Sequence, residues 1–159
     1  MNKPLTLFLA ITLALCGCVT PPPKRIVDRN TVTPLTGQPP LPVRCVPAIW
    51  DRVEELRMMG MPFQFSTGEV FTTAFNGTKA GQPVLEIVDS SLTGKITDLG
   101  FTGLVTYKVK IAVTANGTRH EYSAEYTYST HGFDSPATQV KIAVETAVAD
   151  LYKQVKLLL

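Results

Sequence analysis

The clearest pattern in the chain is an alternation of apolar and polar residues on either side of Asn116-Gly117. That dipeptide is the strongest short-range signal for a two-residue hairpin turn, because both of its positions tolerate φ > 0. The turn fixes the register, with Ala115 opposite Thr118. Counting outward, Val113 meets His120, Ile111 meets Tyr122, Val109 meets Ala124 and Tyr107 meets Tyr126, all on one face. On the other face Lys108 meets Glu125, and Lys110 sits diagonal to Glu121. One face is apolar and the other pairs opposite charges, so turn chemistry and binary pattern select the same register.

A long helix follows. Asp134 or Ser135 caps it and Pro136 opens it. Val140, Val144, Ala147, Val148, Leu151, Val155 and Leu158 then form a continuous apolar stripe. Upstream, residues 84–96 read as a strand bent near Ser90-Ser91, and residues 61–65 as a short strand. Residues 47–60 read as a helix opened by Pro47 and stopped at Gly60, with Ile49, Trp50, Val53 and Leu56 inward and Arg52, Glu54, Glu55 and Arg57 largely outward. Ser66-Thr67-Gly68-Glu69 reads as a capping box, Ser at the cap and Glu three residues on. Val70, Phe71, Ala74 and Phe75 follow at helical spacing; the competing reading is a strand that ends in an Asn76-Gly77 turn. The stripe of the last helix needs the apolar sheet face to cover it. The expected architecture is therefore α+β: an antiparallel sheet of three to four strands with helices packed on one face, a two-layer sandwich.

The start of the chain changes the picture from fold to address. Lys3 gives a short positive region, and residues 5–16 form an uncharged, mostly apolar run. That run is too short to span a bilayer core of roughly 30 Å as a helix, and it reads as a secretory leader. It ends in Leu15-Cys16-Gly17-Cys18, which resembles the lipobox of bacterial lipoproteins: Leu at minus three, a small residue at minus one, then the cysteine that accepts lipid. Residues 1–17 are expected to be a signal peptide and Cys18 the lipidation site, with palmitate-type acyl chains. A single acyl chain holds a protein only weakly, whereas two or three make release negligible. Val19, rather than Asp, after the cysteine points to the outer membrane, facing the periplasm.

Seven of the twelve prolines fall within residues 20–44. A segment with so little apolar periodicity does not offset its ordering entropy. Residues 18–44 are expected to form a semi-rigid tether of up to roughly 75 Å, at about 3.1 Å per residue, and residues 45–159 a single periplasmic domain. Once Lys3 leaves with the leader, 14 basic residues stand against 13 acidic ones, a balance of +1. No basic patch points to nucleic acid. Lys24-Arg25 is a two-charge cluster able to touch anionic headgroups, although most such clusters are solvated linker. Of three cysteines, one leaves with the leader and one is lipidated. Cys45 is left without an internal partner, and its expected state is a buried thiol or an intermolecular bridge.

Little in the chain points to catalysis. His120 falls on the inward face and His131 in a loop, with no second ligand at helical or hairpin spacing to make a metal site. There is no nucleophile elbow and no phosphate loop. Glu121 and Glu125 share a strand face, but the opposing lysines account for them. Tyr122, Tyr126 and Tyr128 are a candidate binding face able to line an apolar groove, although packing under the last helix is the weightier reading. Asn76-Gly77-Thr78 and Asn116-Gly117-Thr118 match the glycosylation sequon, which is idle in a bacterial lipoprotein. No catalytic residue, metal or cofactor is expected.

The order of leader, lipobox, helix, strands joined by an Asn-Gly hairpin and capped C-terminal helix resembles the YajG-type outer-membrane lipoproteins. The likeness is strongest over residues 105–155, where Lys108-Val109-Lys110-Ile111-Ala112-Val113-Thr114-Ala115-Asn116-Gly117 precedes a Tyr-rich strand and an Ala/Val-rich helix. The layout also resembles, more distantly, the lipopolysaccharide-assembly lipoprotein LptE and the auxiliary lipoproteins of ABC-type lipid transporters. The first resemblance implies no catalytic residues. Together with the anchor it leads to the expectation of a non-enzymatic lipoprotein that binds an envelope protein or scaffolds an envelope complex. The alternative is an auxiliary of lipid or lipopolysaccharide transport.

Overall fold

The computed structural model describes residues 24–26, 38–58, 61–97, 102–131 and 134–159. The expected leader, Cys18 and residues 19–23 and 27–37 of the expected tether lie outside these residues. In chain order the elements are β1 (Lys24–Ile26), β2 (Arg44–Cys45), α1 (Pro47–Trp50), β3 (Val53–Met58), β4 (Met61–Ser66), α2 (Gly68–Ala74), β5 (Val84–Thr97), β6 (Thr102–Ala115), β7 (Thr118–His131) and α3 (Pro136–Lys156).

The main sheet has four strands in the order β2-β5-β6-β7. β5, β6 and β7 form an antiparallel meander, and β2 adds to β5 in parallel through Arg44↔Val84 and Cys45↔Leu85. The fold is α+β, as expected, but the sheet is mixed rather than purely antiparallel. Four elements, α1, β3, β4 and α2, separate β2 from β5, so the two are not joined by a hairpin and pair in parallel. The β6–β7 register is the one the Asn-Gly turn dictates, from Ala115↔Thr118 through Val113↔His120, Ile111↔Tyr122 and Val109↔Ala124 to Tyr107↔Tyr126. Asn116 (φ 50°) and Gly117 (φ 77°) both sit in the left-handed region that such a turn demands. In β5 the irregularity falls between Ile87 and Asp89, slightly before the expected bend, and leaves Val88 without a partner in β6.

α3 starts as expected: Ser135 caps it by accepting a hydrogen bond from the Thr138 backbone N–H at 3.2 Å, and Pro136 occupies the first turn. Its buried stripe of Val140, Val144, Ala147, Val148, Leu151 and Val155 covers Val105, Val109, Ile111 and Val113 of β6. This contact is the centre of the core.

Three expectations fail on geometry. The helix expected over residues 47–60 ends at Trp50, and residues 53–58 are a strand that pairs antiparallel with β4 through Glu54↔Phe65 and Leu56↔Phe63. A period-2 pattern was hidden there: Glu54 and Leu56 point inward, while Glu55 and Arg57 are exposed. Trp50, expected on the buried face, is 57% exposed. The second helix does exist, but its cap is Thr67 rather than Ser66, and no side chain caps it. Ser66 is taken up as the last rung of the β3–β4 pair, opposite Val53. Phe75 leaves the helix and bridges Leu41 in parallel.

Packing also begins upstream of Cys45, the expected start of the domain. Leu41 and Val43 belong to the core. The Asn76 and Gly77 backbone N–H groups donate to the Leu41 and Val43 carbonyls at 3.0 and 2.9 Å, and the Tyr152 hydroxyl donates to the Pro39 carbonyl at 2.9 Å. β1 joins the smaller sheet, order β1-β4-β3, by pairing with β4 in parallel. Backbone hydrogen bonding thus holds two pieces of a segment whose side chains promise little burial.

Candidate functional site

Three places hold chemistry: the outer face of the main sheet, a polar cluster beneath β3, and the free edge of β7.

The outer face is a ladder of ion pairs. Lys108 meets Glu125 at 3.0 Å, Lys110 meets Glu121 at 2.5 Å, and Arg119 bridges Glu86 on β5 and Glu121 on its own strand. The hydrogen bond from Lys110 holds the Glu121 carboxyl below its ordinary range, and the contact with Glu86 raises the Arg119 guanidinium. All of these groups are open to water, so the ladder matches strands rather than stabilising them strongly. A shallow groove of about 270 Å³ crosses this face between Asp89, Ser91, Lys108, Lys110, Ser123 and Glu125. Its walls carry both signs of charge.

The polar cluster was not legible from the sequence. Arg52 Nε donates to Glu54 Oε1 at 2.8 Å and Arg52 Nη2 to Ser90 Oγ at 2.6 Å, and Ser90 donates in turn to Glu54. Glu54 is buried. The Tyr107 phenol lies nearby, fully buried, and is pushed well above its ordinary range by burial and then by the Glu54 charge. The Thr67 and Ser90 hydroxyls are near enough to oppose that shift, but neither meets hydrogen-bond geometry with the phenol. Ser90 Oγ is occupied both as donor and as acceptor, so the cluster ties β3 to β5 rather than holding a free nucleophile. The signal that would have found it is the alternation Glu54/Leu56 facing Phe63/Phe65, the mark of a strand pair.

β7 is the outermost strand of the main sheet, with fourteen residues along its edge. The two-residue turn makes Ala115 and Thr118 a hydrogen-bonded pair, so the even-numbered residues of β7 bond to β6. The odd-numbered ones, Arg119, Glu121, Ser123, Glu125 and Thr127, then turn their backbone N–H and C=O groups away from the sheet. Among the described residues, the Ser123 carbonyl accepts from Gln154 Nε2 of α3 at 3.1 Å. β7 has no internal proline, and no bulge interrupts its pairing with β6. These are two of the devices that commonly blunt an edge.

Tyr122, Tyr126 and Tyr128 are half-buried and pack against the core at the β7 side of α3. Tyr128 also donates from its hydroxyl to Asp134 at 3.1 Å. The structure brings these three together on one face, as the hairpin register requires. His120 is half-buried next to the turn. Among the described residues no group of three or more His, Cys, Asp and Glu side chains converges as a metal site, and no helix is long and apolar enough to cross a membrane. Cys18 lies outside the described residues.

Cys45 is buried and its thiol donates to the Phe75 carbonyl at 3.4 Å. Burial pushes the thiol up to about 12 from 9.0. The folded pKa is the higher one, so this group's contribution to stability is complete below pH 9 and is lost as pH rises toward 12. A maleimide reagent near neutral pH is expected to leave Cys45 unmodified in the native protein and to label it after unfolding in urea, read by intact mass. Rapid native labelling, or a dimer dispersed by reductant, would contradict its burial.

No family model matches the chain, and no curated protein matches it. Among solved structures it is similar to the rare lipoprotein B from Shewanella oneidensis, at 18% identity and a TM-score of 0.30, over 51% of this chain and 66% of that one. The match therefore spans just under two thirds of that protein's length. A second likeness, to the crystal structure of an uncharacterized protein, has 9% identity and a TM-score of 0.34, over 71% of this chain and 84% of the other. At TM-scores of 0.30 and 0.34 neither likeness carries an argument.

Proposed function

We propose that this protein is an envelope lipoprotein of the YajG type. In this reading it is anchored through Cys18 to the periplasmic side of the outer membrane, and it works without catalysis by binding a protein partner through strand addition along β7. The anchor half rests on Leu15-Cys16-Gly17-Cys18 after a short apolar leader. The binding half rests on one observation: a fourteen-residue strand, outermost in its sheet among the described residues, whose outward-facing ladder meets a side chain of its own domain at the Ser123 carbonyl. Main-chain hydrogen bonds to an extended segment would supply affinity, and the alternating side chains of β7 would supply selectivity. The mixed-sign outer face, with its short charge pairs, sets no field that would attract nucleic acid.

The test exploits the parity of the strand. Thr127→Pro removes an outward N–H without removing a backbone bond to β6, a change that edge strands tolerate, and it also removes the hydroxyl that meets Thr106. Thr106→Ala removes the Thr106–Thr127 hydroxyl pair at 2.8 Å on the outer face and leaves the edge intact. Partner captured by the full-length lipidated protein from detergent-solubilised envelope should fall about tenfold with Thr127→Pro, roughly the worth of one lost hydrogen bond, and stay at the wild-type level with Thr106→Ala. Equal capture by wild type and Thr127→Pro would remove the edge as the binding surface.

A further inference from the structure

We propose that β1 is a clip that draws the anchored domain onto the bilayer, so that the small sheet β1-β4-β3 is the membrane-proximal face and β7 points away from the lipid. The inference rests on the Cys18 anchor and extends it. β1 pairs with β4 through Lys24↔Phe63, Arg25↔Gln64 and Ile26↔Phe65. Residues 19–23 are all that separates it from Cys18. Six Cα-to-Cα steps span at most about 20 Å, since a fully extended chain advances roughly 3.3–3.6 Å per residue. Without β1, the first described residues held by the domain are Gln38–Leu41, and the same limit gives about 70 Å.

Three residues of backbone pairing thus decide between a domain held near the headgroups and one free to stand up to about 70 Å from them. The occupant of this face is the phospholipid surface that carries the anchor, because residues 19–23 keep β1 within about 20 Å of the lipidated cysteine. Lys24 and Arg25 place two cationic residues in the strand nearest to it, the sign that anionic headgroups attract. The same geometry orients the other end of the molecule. β3 of the small sheet packs beside β5, while β7 lies beyond β6 at the far side of the main sheet. An edge intended for a partner is therefore carried away from the lipid.

Neutron reflectometry of the full lipidated protein on a supported bilayer of phosphatidylethanolamine and phosphatidylglycerol reads the spacing directly. Wild type is expected to form a protein layer that starts within about 20 Å of the headgroups, the reach of residues 19–23. The length-preserving triple variant Lys24→Gly, Arg25→Ser, Ile26→Gly lowers strand propensity and should open a solvent gap beyond that limit. The double variant Arg25→Cys, Gln64→Cys, at paired positions, should cross-link spontaneously and keep the narrow spacing. A wide gap already present in wild type, or no cross-link in the double variant, overturns the clip and leaves the anchor standing. Failure of any layer to form, with the protein recovered unlipidated, overturns the anchor and the clip together.

Discussion

Ile111→Ala and Leu151→Ala are each expected to lower the unfolding free energy by about 2–5 kcal/mol, whereas Lys108→Ala lowers it by less than about 1 kcal/mol. Ile111 and Leu151 are fully buried, one on the central strand β6 and the other on α3, the helix that covers it. Truncation forfeits the transfer energy of each side chain and leaves a space that the helix cannot refill, because Val144, Val148 and Val155 already hold it against the sheet. The Lys108–Glu125 pair lies 57% and 53% exposed, so water replaces most of what its loss removes. Urea unfolding of the detergent-solubilised protein gives the ordering. If Lys108→Ala proved more damaging than Ile111→Ala, the two faces of the sheet would be reversed and the tyrosine row would lie open to solvent.

Gly68→Ala is the second large effect, and it works by overpacking rather than by loss. A Cβ at this position would lie 1.9 Å from the Ile49 carbonyl oxygen and 2.9 Å from that of Trp50. Both are backbone atoms, and neither can turn aside as a side-chain end would. The first turn of α2 and the end of α1 meet here, and the Thr67 and Gly68 N–H groups both donate to the Arg52 carbonyl, at 3.1 and 3.3 Å. Forcing them apart should cost about 1–3 kcal/mol or more. It should also shift Arg52 relative to Glu54 and Ser90, so the loss extends to the polar cluster. A midpoint within experimental error of wild type would show that α1 and α2 are not in contact.

The parts of this fold that could be read in advance are those where two local signals agree. At Asn116-Gly117 the turn type and the binary pattern demand the same register. At Ser135-Pro136 a capping hydroxyl and a fixed φ demand the same start. In both cases a slip would turn apolar residues outward, so tertiary structure had nothing to override. Residues 47–60 failed because Ile49, Trp50, Val53 and Leu56 satisfy a helical period by coincidence, while the pairing that decides the matter, with residues 61–66 directly downstream, is announced by no turn signal like Asn116-Gly117. β1 and Leu41 escaped notice for a related reason: composition reports whether a segment can fold alone, not whether a neighbouring strand will accept it. The Arg52–Glu54–Ser90 cluster needed that same pairing before its members could be seen together. The odd-numbered edge of β7, by contrast, follows from the hairpin turn by counting, and required only the sheet order to place β7 last among the described strands.

The binding role of that edge is tested most directly by residue-resolved amide hydrogen exchange on the full lipidated protein, alone and with the partner it captures. In the free protein the even-numbered amides from Thr118 to Tyr128 should exchange slowly, because they bond to β6, while those of Arg119, Glu121, Glu125 and Thr127 exchange fast. On binding, that second set should become protected and the first should change little. Protection that appears instead on α3 or on the charged face of β5 and β6, with the odd-numbered β7 amides still exchanging fast, would contradict strand addition as the way this protein holds its partner.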